Sequence, residues 1–199
     1  EVLFLHGGAT TQFMQVPMNL LNENEAAAYT DTGAWAGKAI KEAKLFGHVE
    51  VIGSSKEDKY TTIPKNINVP PTAAYLHITT NETIAGTQWH NLPYDCGVPL
   101  VADMSSDIFS RPVDVSKFDL IYAGAQKNMG PSGVTLAIIK KDIVGKSERV
   151  MPTMLNYKTH LENDSLYNTP PVIAILVCMH VLEWLRSIGG GEGLLKINQ

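Results

Sequence analysis

Lys127 stands in a run of small and amide side chains, Ala123-Gly124-Ala125-Gln126-Lys127-Asn128-Met129-Gly130-Pro131-Ser132-Gly133, directly after an apolar, strand-length segment. A primary amine held among small residues and partly out of water becomes neutral more readily, and a neutral amine condenses with an aldehyde. A solvated surface lysine is the ordinary alternative, and the small, uncharged neighbours speak against it. Asp103 follows Leu100–Ala102, a segment apolar enough to be buried on both faces, where a bare carboxylate needs a cation. A protonated ring nitrogen, such as that of pyridoxal phosphate (PLP), is one such cation, and its electron-withdrawing chemistry depends on such a carboxylate. A helix cap or a pairing with Lys or Arg is the other reading of Asp103.

A third group is the turn Gly7-Gly8-Ala9-Thr10, which follows Val2–Leu5 and leads into a helix. Such a turn lets backbone approach a ligand, and the free amides of a helix start suit a phosphate. A plain glycine turn between strand and helix explains the same residues equally well. Neither a G-x-G-x-x-G nor a G-x-x-x-x-G-K-[ST] pattern is present, so dinucleotide and P-loop readings are not favoured. Trp35 can stack on a flat ring, although on its own it reads first as core filling. Ser105-Ser106 is read with equal weight as polar lining or as turn. The six histidines lack metal-ligand spacing, so no metal is expected.

Positioning these groups requires strand ends that converge. Apolar runs occur at Val2–Leu5, Ala26–Tyr29, Val49–Ile52, Ala73–Ile78, Leu100–Ala102, Leu120–Ala123 and Val134–Ile139, most of them too apolar for a wet face. Helical spacing over Trp35–Phe46, stopped by Gly47, separates two of them. The expected fold is therefore α/β, with a mostly parallel seven-stranded sheet flanked by helices and ligands bound beyond the carboxyl ends of the strands. Asn168-Thr169-Pro170-Pro171 reads as a helix start with a capping hydroxyl, and that helix is expected to run to about Ile188.

The 199 residues are 44% hydrophobic and 18% charged, with a formal net charge of -4 and a pI near 5.8. A globular domain with its own core follows, and neither nucleic acid nor an anionic membrane is an expected partner. The apolar stretch at Val172–Val181 is broken by His180 and followed by Glu183 and Arg186, too short for a span. Cys96 and Cys178 suggest neither a disulfide framework nor zinc, so a reducing, cytoplasmic setting is expected. The chain opens on a strand and closes on a helix-compatible run, which reads as a piece of a longer protein: residues 1–188 as one domain, and 189–199 as the start of a connection to a second.

The segment A-G-A-Q-K-N-M-G-P-S-G at Ala123–Gly133 resembles the cofactor-lysine region of the phosphoserine aminotransferases, a family of fold-type I, class V PLP enzymes. The likeness continues through H-G-G-A-T-T-Q-F at His6–Phe13, T-N-E-T at Thr80–Thr83, A-D-M-S-S at Ala102–Ser106, S-R-P-V-D-V at Ser110–Val115 and Y-N-T-P-P at Tyr167–Pro171. Many bacterial members carry Gly-Arg in place of Ala9-Thr10. The resemblance implies a large α/β domain whose small C-terminal partner domain is not in this sequence, and a homodimer with composite sites. It implies that Lys127 bonds the cofactor and shuttles a proton, Asp103 holds the pyridine nitrogen, and Trp35 stacks on the ring. Thr83 would bond the ring hydroxyl, while Ala9, Thr10 and Gln126 bind the phosphate and Asn168 and Thr169 reach the phosphate of the partner's site. The implied reaction interconverts 3-phosphohydroxypyruvate and L-glutamate with 3-phospho-L-serine and 2-oxoglutarate, in serine and also pyridoxine biosynthesis. Another class V enzyme, such as an alanine–glyoxylate type aminotransferase or a cysteine desulfurase, and a non-catalytic phosphate- or nucleotide-binding module are the rival readings.

Overall fold

A computed structural model describes residues 1–199. In chain order the elements are β1 (Val2–Leu5), α1 (Gly8–Leu20), β2 (Ala26–Asp31), α2 (Ala34–Ala43), β3 (His48–Ser54) and β4 (Leu76–Thr79). A short hairpin follows, β5 (Asn81–Glu82) with β6 (Thr87–Gln88), and then β7 (Leu100–Asp103), β8 (Leu120–Gly124), β9 (Thr135–Ile139), α3 (Tyr157–Glu162), α4 (Val172–Ser187) and α5 (Gly190–Asn198). The seven expected strands form one sheet in the order β1-β9-β8-β7-β4-β2-β3. β8, β7, β4, β2 and β3 pair in parallel, and β9 runs antiparallel between β8 and β1. Every strand but β9 therefore points its carboxyl end to the same edge of the sheet.

β4, β7 and β8 are buried along their whole length, as central strands covered on both faces are. On one face, Phe13, Val16 and Leu20 of α1 and Ala39 and Ile40 of α2 pack on Tyr29, Val101 and Tyr122. On the other, Leu76, Ala102 and Ile121 meet Met104, Phe118, Met129 and Cys178. The strand at Val49–Ile52 departs from expectation, because β3 sits at the sheet edge and is mostly open to solvent.

Three further expectations are corrected. The helix read over Trp35–Phe46 ends at Ala43, with Lys44 still right-handed as its cap. Gly47 does not stop it by a left-handed turn; instead, a Cβ there would lie 2.8 Å from Leu21 Cγ and 3.0 Å from the Asn22 carbonyl oxygen, so glycine is needed for close passage. α4 begins only at Val172, with Pro171 as its cap residue and no side-chain cap. The residue before a proline is pushed out of helical conformation, so Pro170 and Pro171 hold Thr169 and Pro170 outside the helix.

α4 ends at Ser187, and Gly189, at φ 97°, turns the chain into α5. The two helices meet at a bend of 78°, and no single helix is long and apolar enough to cross a membrane. α4 buries only Cys178 and Leu185, while Ile173, Leu176, Val177, Met179 and Trp184 are exposed.

Candidate active site

At the common edge of the sheet, the chain segments leaving β1, β2, β4, β7 and β8 converge, and the segment entering antiparallel β9 arrives there too. They enclose a cavity of about 570 Å³ lined by Gly7, Gly8, Ala9, Thr10, Trp35, Thr79, Asn81, Thr83, Asp103, Ser105, Ser106, Gln126, Lys127, Ser132 and Gly133. Ligands in open α/β sheets bind at this edge. Of the residues singled out in the sequence, Ala9, Thr10, Trp35, Thr83, Asp103, Gln126 and Lys127 are brought together here. Asn168 and Thr169 are not: both are exposed and outside the cavity, with Asn168 Nδ2 3.4 Å from His6 Nε2.

The glycine turn is conformationally enforced. Gly7 has φ +93°, and a Cβ on it would fall 1.9 Å from Thr11 Oγ1. Gly8, at φ +68°, is likewise left-handed, a region glycine adopts without steric penalty. The first turn of α1 carries no acidic residue, so its free amides and the positive end of its dipole face the cavity uncompensated, as an anion site requires.

Asp103 is 4% exposed. Its Oδ1 accepts from Ser105 N at 2.9 Å and from Ser105 Oγ at 2.7 Å, the local turn that Asp favours. No Lys or Arg pairs with it, which removes the salt-bridge reading. Burial pushes its carboxyl up to about 6, the two Ser105 bonds pull the other way, and the charge of Glu82 adds to the rise. A buried carboxylate with one oxygen engaged and no cation suits a ligand that brings its own positive charge. Thr79 Oγ1 and Trp35 Nε1 are also buried without partners, and both residues line the cavity.

Ser105 is a bridge rather than an ordinary turn residue. Its Oγ donates to Asp103 and accepts from Gly124 N at 3.1 Å, so the carboxylate and the start of the Lys127 loop are tied together. Asn128, beside Lys127, strengthens the tie by donating from Nδ2 to the Ser106 carbonyl at 3.2 Å and the Ile108 carbonyl at 3.0 Å. The far side of the loop rests on α4: a Cβ on Gly130 would lie 2.9 Å from Cys178 Sγ and 3.3 Å from Cys178 Cα. Beneath the site the sheet offers a rigid floor, where His77 Nε2 bonds Tyr122 OH at 2.8 Å and the His77 ring stacks on Tyr29 at 4.7 Å. Burial holds that imidazole neutral, its pKa pushed down to about 3.

Two side chains differ from expectation. Lys127 is exposed, because nothing in this chain covers the mouth of the cavity, so the desolvated pocket expected around it is not made by these residues alone. Trp35 is half-buried, packing on the core with part of its side chain while lining the cavity with the rest. Lys38 Nζ stands 4.2 Å from its ring centroid.

Glu82, Asn128, Thr79 and Gly130 were not singled out from sequence. Glu82 is fully buried and accepts from Trp35 N at 3.1 Å and Ala36 N at 2.8 Å. Burial pushes its carboxyl up, those two amides pull it down, and Asp31 adds a further rise. The one sequence signal for it was a charged residue beside Thr83 in Thr80–Thr83; its partners lie 47 and 46 positions away.

A flat cationic ring at Asp103 and Trp35, an anionic tail at Gly7–Thr10 and an aldehyde within reach of Lys127 together match the lining. A doubly wound sheet with a cavity of this lining at its carboxyl edge has the architecture of a cofactor-binding domain. The chain belongs to the class V aminotransferase family, whose model matches residues 1–194. It is 56% identical over 198 residues to the phosphoserine aminotransferase of Flavobacterium psychrophilum, covering 100% of this chain and 55% of that protein. The solved phosphoserine aminotransferase of Bacillus circulans subsp. alkalophilus superposes with a TM-score of 0.96 at 52% identity, over 100% of this chain and 55% of its own. A PLP-bound phosphoserine aminotransferase from Trichomonas vaginalis gives 0.85 at 33% identity, over 100% and 56%. The chain thus spans about half the length of the curated relatives it matches.

Proposed function

We propose that this chain is the cofactor-binding half of a PLP-dependent phosphoserine aminotransferase, and that Lys127 is its catalytic residue. The observation that carries the reading is Asp103, buried without a cation across the same cavity as Lys127. When bound, PLP supplies an aldehyde and a protonated, conjugated ring that draws an electron pair away from an attached amino acid. Asp103 keeps the ring nitrogen protonated, Trp35 packs against the ring face, and Thr83 bonds its hydroxyl. Ala9, Thr10 and Gln126 hold the phosphate, with the α1 amides behind them. Lys127 Nζ removes the proton from the substrate Cα, holds it, and returns it on the far side of the reaction. Ser105 and Asn128 keep that nitrogen and the Asp103 carboxylate in register.

The reaction is exchange of an amino group between L-glutamate and 3-phosphohydroxypyruvate, giving 2-oxoglutarate and 3-phospho-L-serine by ping-pong kinetics. Identities above 50% to phosphoserine aminotransferases over the whole chain support this substrate choice. Its place is L-serine biosynthesis, with pyridoxine biosynthesis as a second outlet, in the cytoplasm; the two free cysteines fit a reducing compartment. Residues 1–188 form the large domain, and 189–199 lead towards a small domain carrying substrate-binding residues. The working unit is a homodimer, in which Asn168 and Thr169 serve the phosphate site of the second copy; their exposure outside their own cavity supports this. The exposed apolar face of α4 supports coverage by further chain.

The test is donor choice. Full-length protein with PLP and 2-oxoglutarate should use phosphoserine far faster than alanine or cysteine. Equal or better rates with alanine, sulfide release from cysteine, or a colourless protein that binds a nucleotide instead would overturn the reading.

A further inference from the structure

α2 lacks the means to finish its own amino terminus. Its cap residue is Gly33, no side chain caps it locally, and its first turn holds no acid. A cap ordinarily satisfies the amides two or three residues into the helix. Here those are Trp35 N and Ala36 N, and both donate to the Glu82 carboxylate, at 3.1 Å to Oε2 and 2.8 Å to Oε1. Gly33 makes room for it: a Cβ there would lie 2.5 Å from Glu82 Cδ. Glu82 has no exposed surface and no cationic partner, so its charge is balanced by these two amides and the helix dipole behind them.

The two residues joined through this carboxylate's backbone and its bonds both line the cavity. Trp35 supplies one of the amides, and Thr83 is the next residue in the chain. Glu82 is itself held in the hairpin, pairing with Thr87 and accepting from Gly86 N at 2.8 Å. We propose that Glu82 is a positioning residue that acts through Trp35: by capping α2 from the hairpin, it sets the indole at the spacing from Thr83 that a flat ring requires. This rests on the reading of the cavity as a PLP site.

The test is a double-mutant cycle on cofactor affinity in the full-length protein, since coupling between two sites appears as non-additivity. PLP dissociation constants are measured by absorption for the parent protein, E82Q, W35A and E82Q/W35A, with folding of each apo protein checked by circular dichroism. Glutamine keeps one accepting oxygen but turns an NH₂ group on the second amide. E82Q should weaken PLP at least about tenfold, the size of one lost charge-assisted hydrogen bond, and in the W35A background the same change should do little. A loss of equal size with and without Trp35 would overturn the proposal, because a merely structural cap would act in both. Should E82Q not fold, E82D, which withdraws the charge by one methylene, carries the same cycle. Failure of the parent protein itself to bind PLP would strike the site reading instead, so the two failures are distinguishable.

Discussion

Replacing Asp103 by asparagine separates what the buried carboxylate costs from what it does. Its carboxyl sits at about 6 in the folded chain against an ordinary 3.8. Between those values the folded state holds a proton that the unfolded chain has released, so stability falls as pH rises through this window. The cost is complete above the folded value. A difference of this size corresponds to about 3 kcal/mol. Asparagine presents an oxygen to the same Ser105 N and Oγ donors and carries no charge to desolvate. Cofactor-free full-length D103N should therefore be more stable than the parent protein by up to about 3 kcal/mol at pH 8, with the gap closing towards pH 4. Urea unfolding at both pH values measures it, and comparing variant with parent cancels the titration of other groups. With PLP bound the order should reverse at pH 8, because only the carboxylate pairs with a ring cation. A parent protein at least as stable as D103N at pH 8 without cofactor, or a gap independent of pH, would refute the reasoning.

Ser105→Ala removes the hydroxyl bridge between Asp103 and Gly124. Loss of a hydrogen bond to a charged group is worth about 1.5–3 kcal/mol, so the pH midpoint of PLP binding, followed by absorption, should move upward. Gly130→Ala forces a Cβ against Cys178 and should destabilise the fold by about 1–3 kcal/mol; thermal unfolding should show C178A relieving this only in part, since the Cys178 backbone is also in the way. Gly7→Ala meets both a positive φ and Thr11, and should weaken PLP and free inorganic phosphate together in equilibrium dialysis.

The sheet was legible because its central strands are continuous apolar runs, which burial on both faces demands, and the residues that follow them are polar or glycine. β3 misled for the opposite reason: Val49, Val51 and Ile52 look like core, yet the strand has a neighbour on one side only. The start of α4 is not legible in the sequence, because a capping hydroxyl and prolines occur together at Thr169–Pro171 and only backbone geometry shows which one prevails. Of the site, the residues flanking strand ends could be found from sequence, since topology alone brings strand ends together. Glu82 could not, because its role is defined by amides 47 and 46 positions away. The run of small residues around Lys127 predicts partial desolvation, yet its side chain is exposed, because nothing in this chain covers the mouth of the cavity.

The most direct test of the account is covalent. Full-length protein loaded with PLP, treated with borohydride, digested and mapped by mass spectrometry should carry the reduced cofactor on Lys127, with no label on Lys38, whose amine stands 4.2 Å from the Trp35 ring centroid, and none in K127A. Label on a different lysine, or a bound cofactor that borohydride never fixes to the chain, would contradict it.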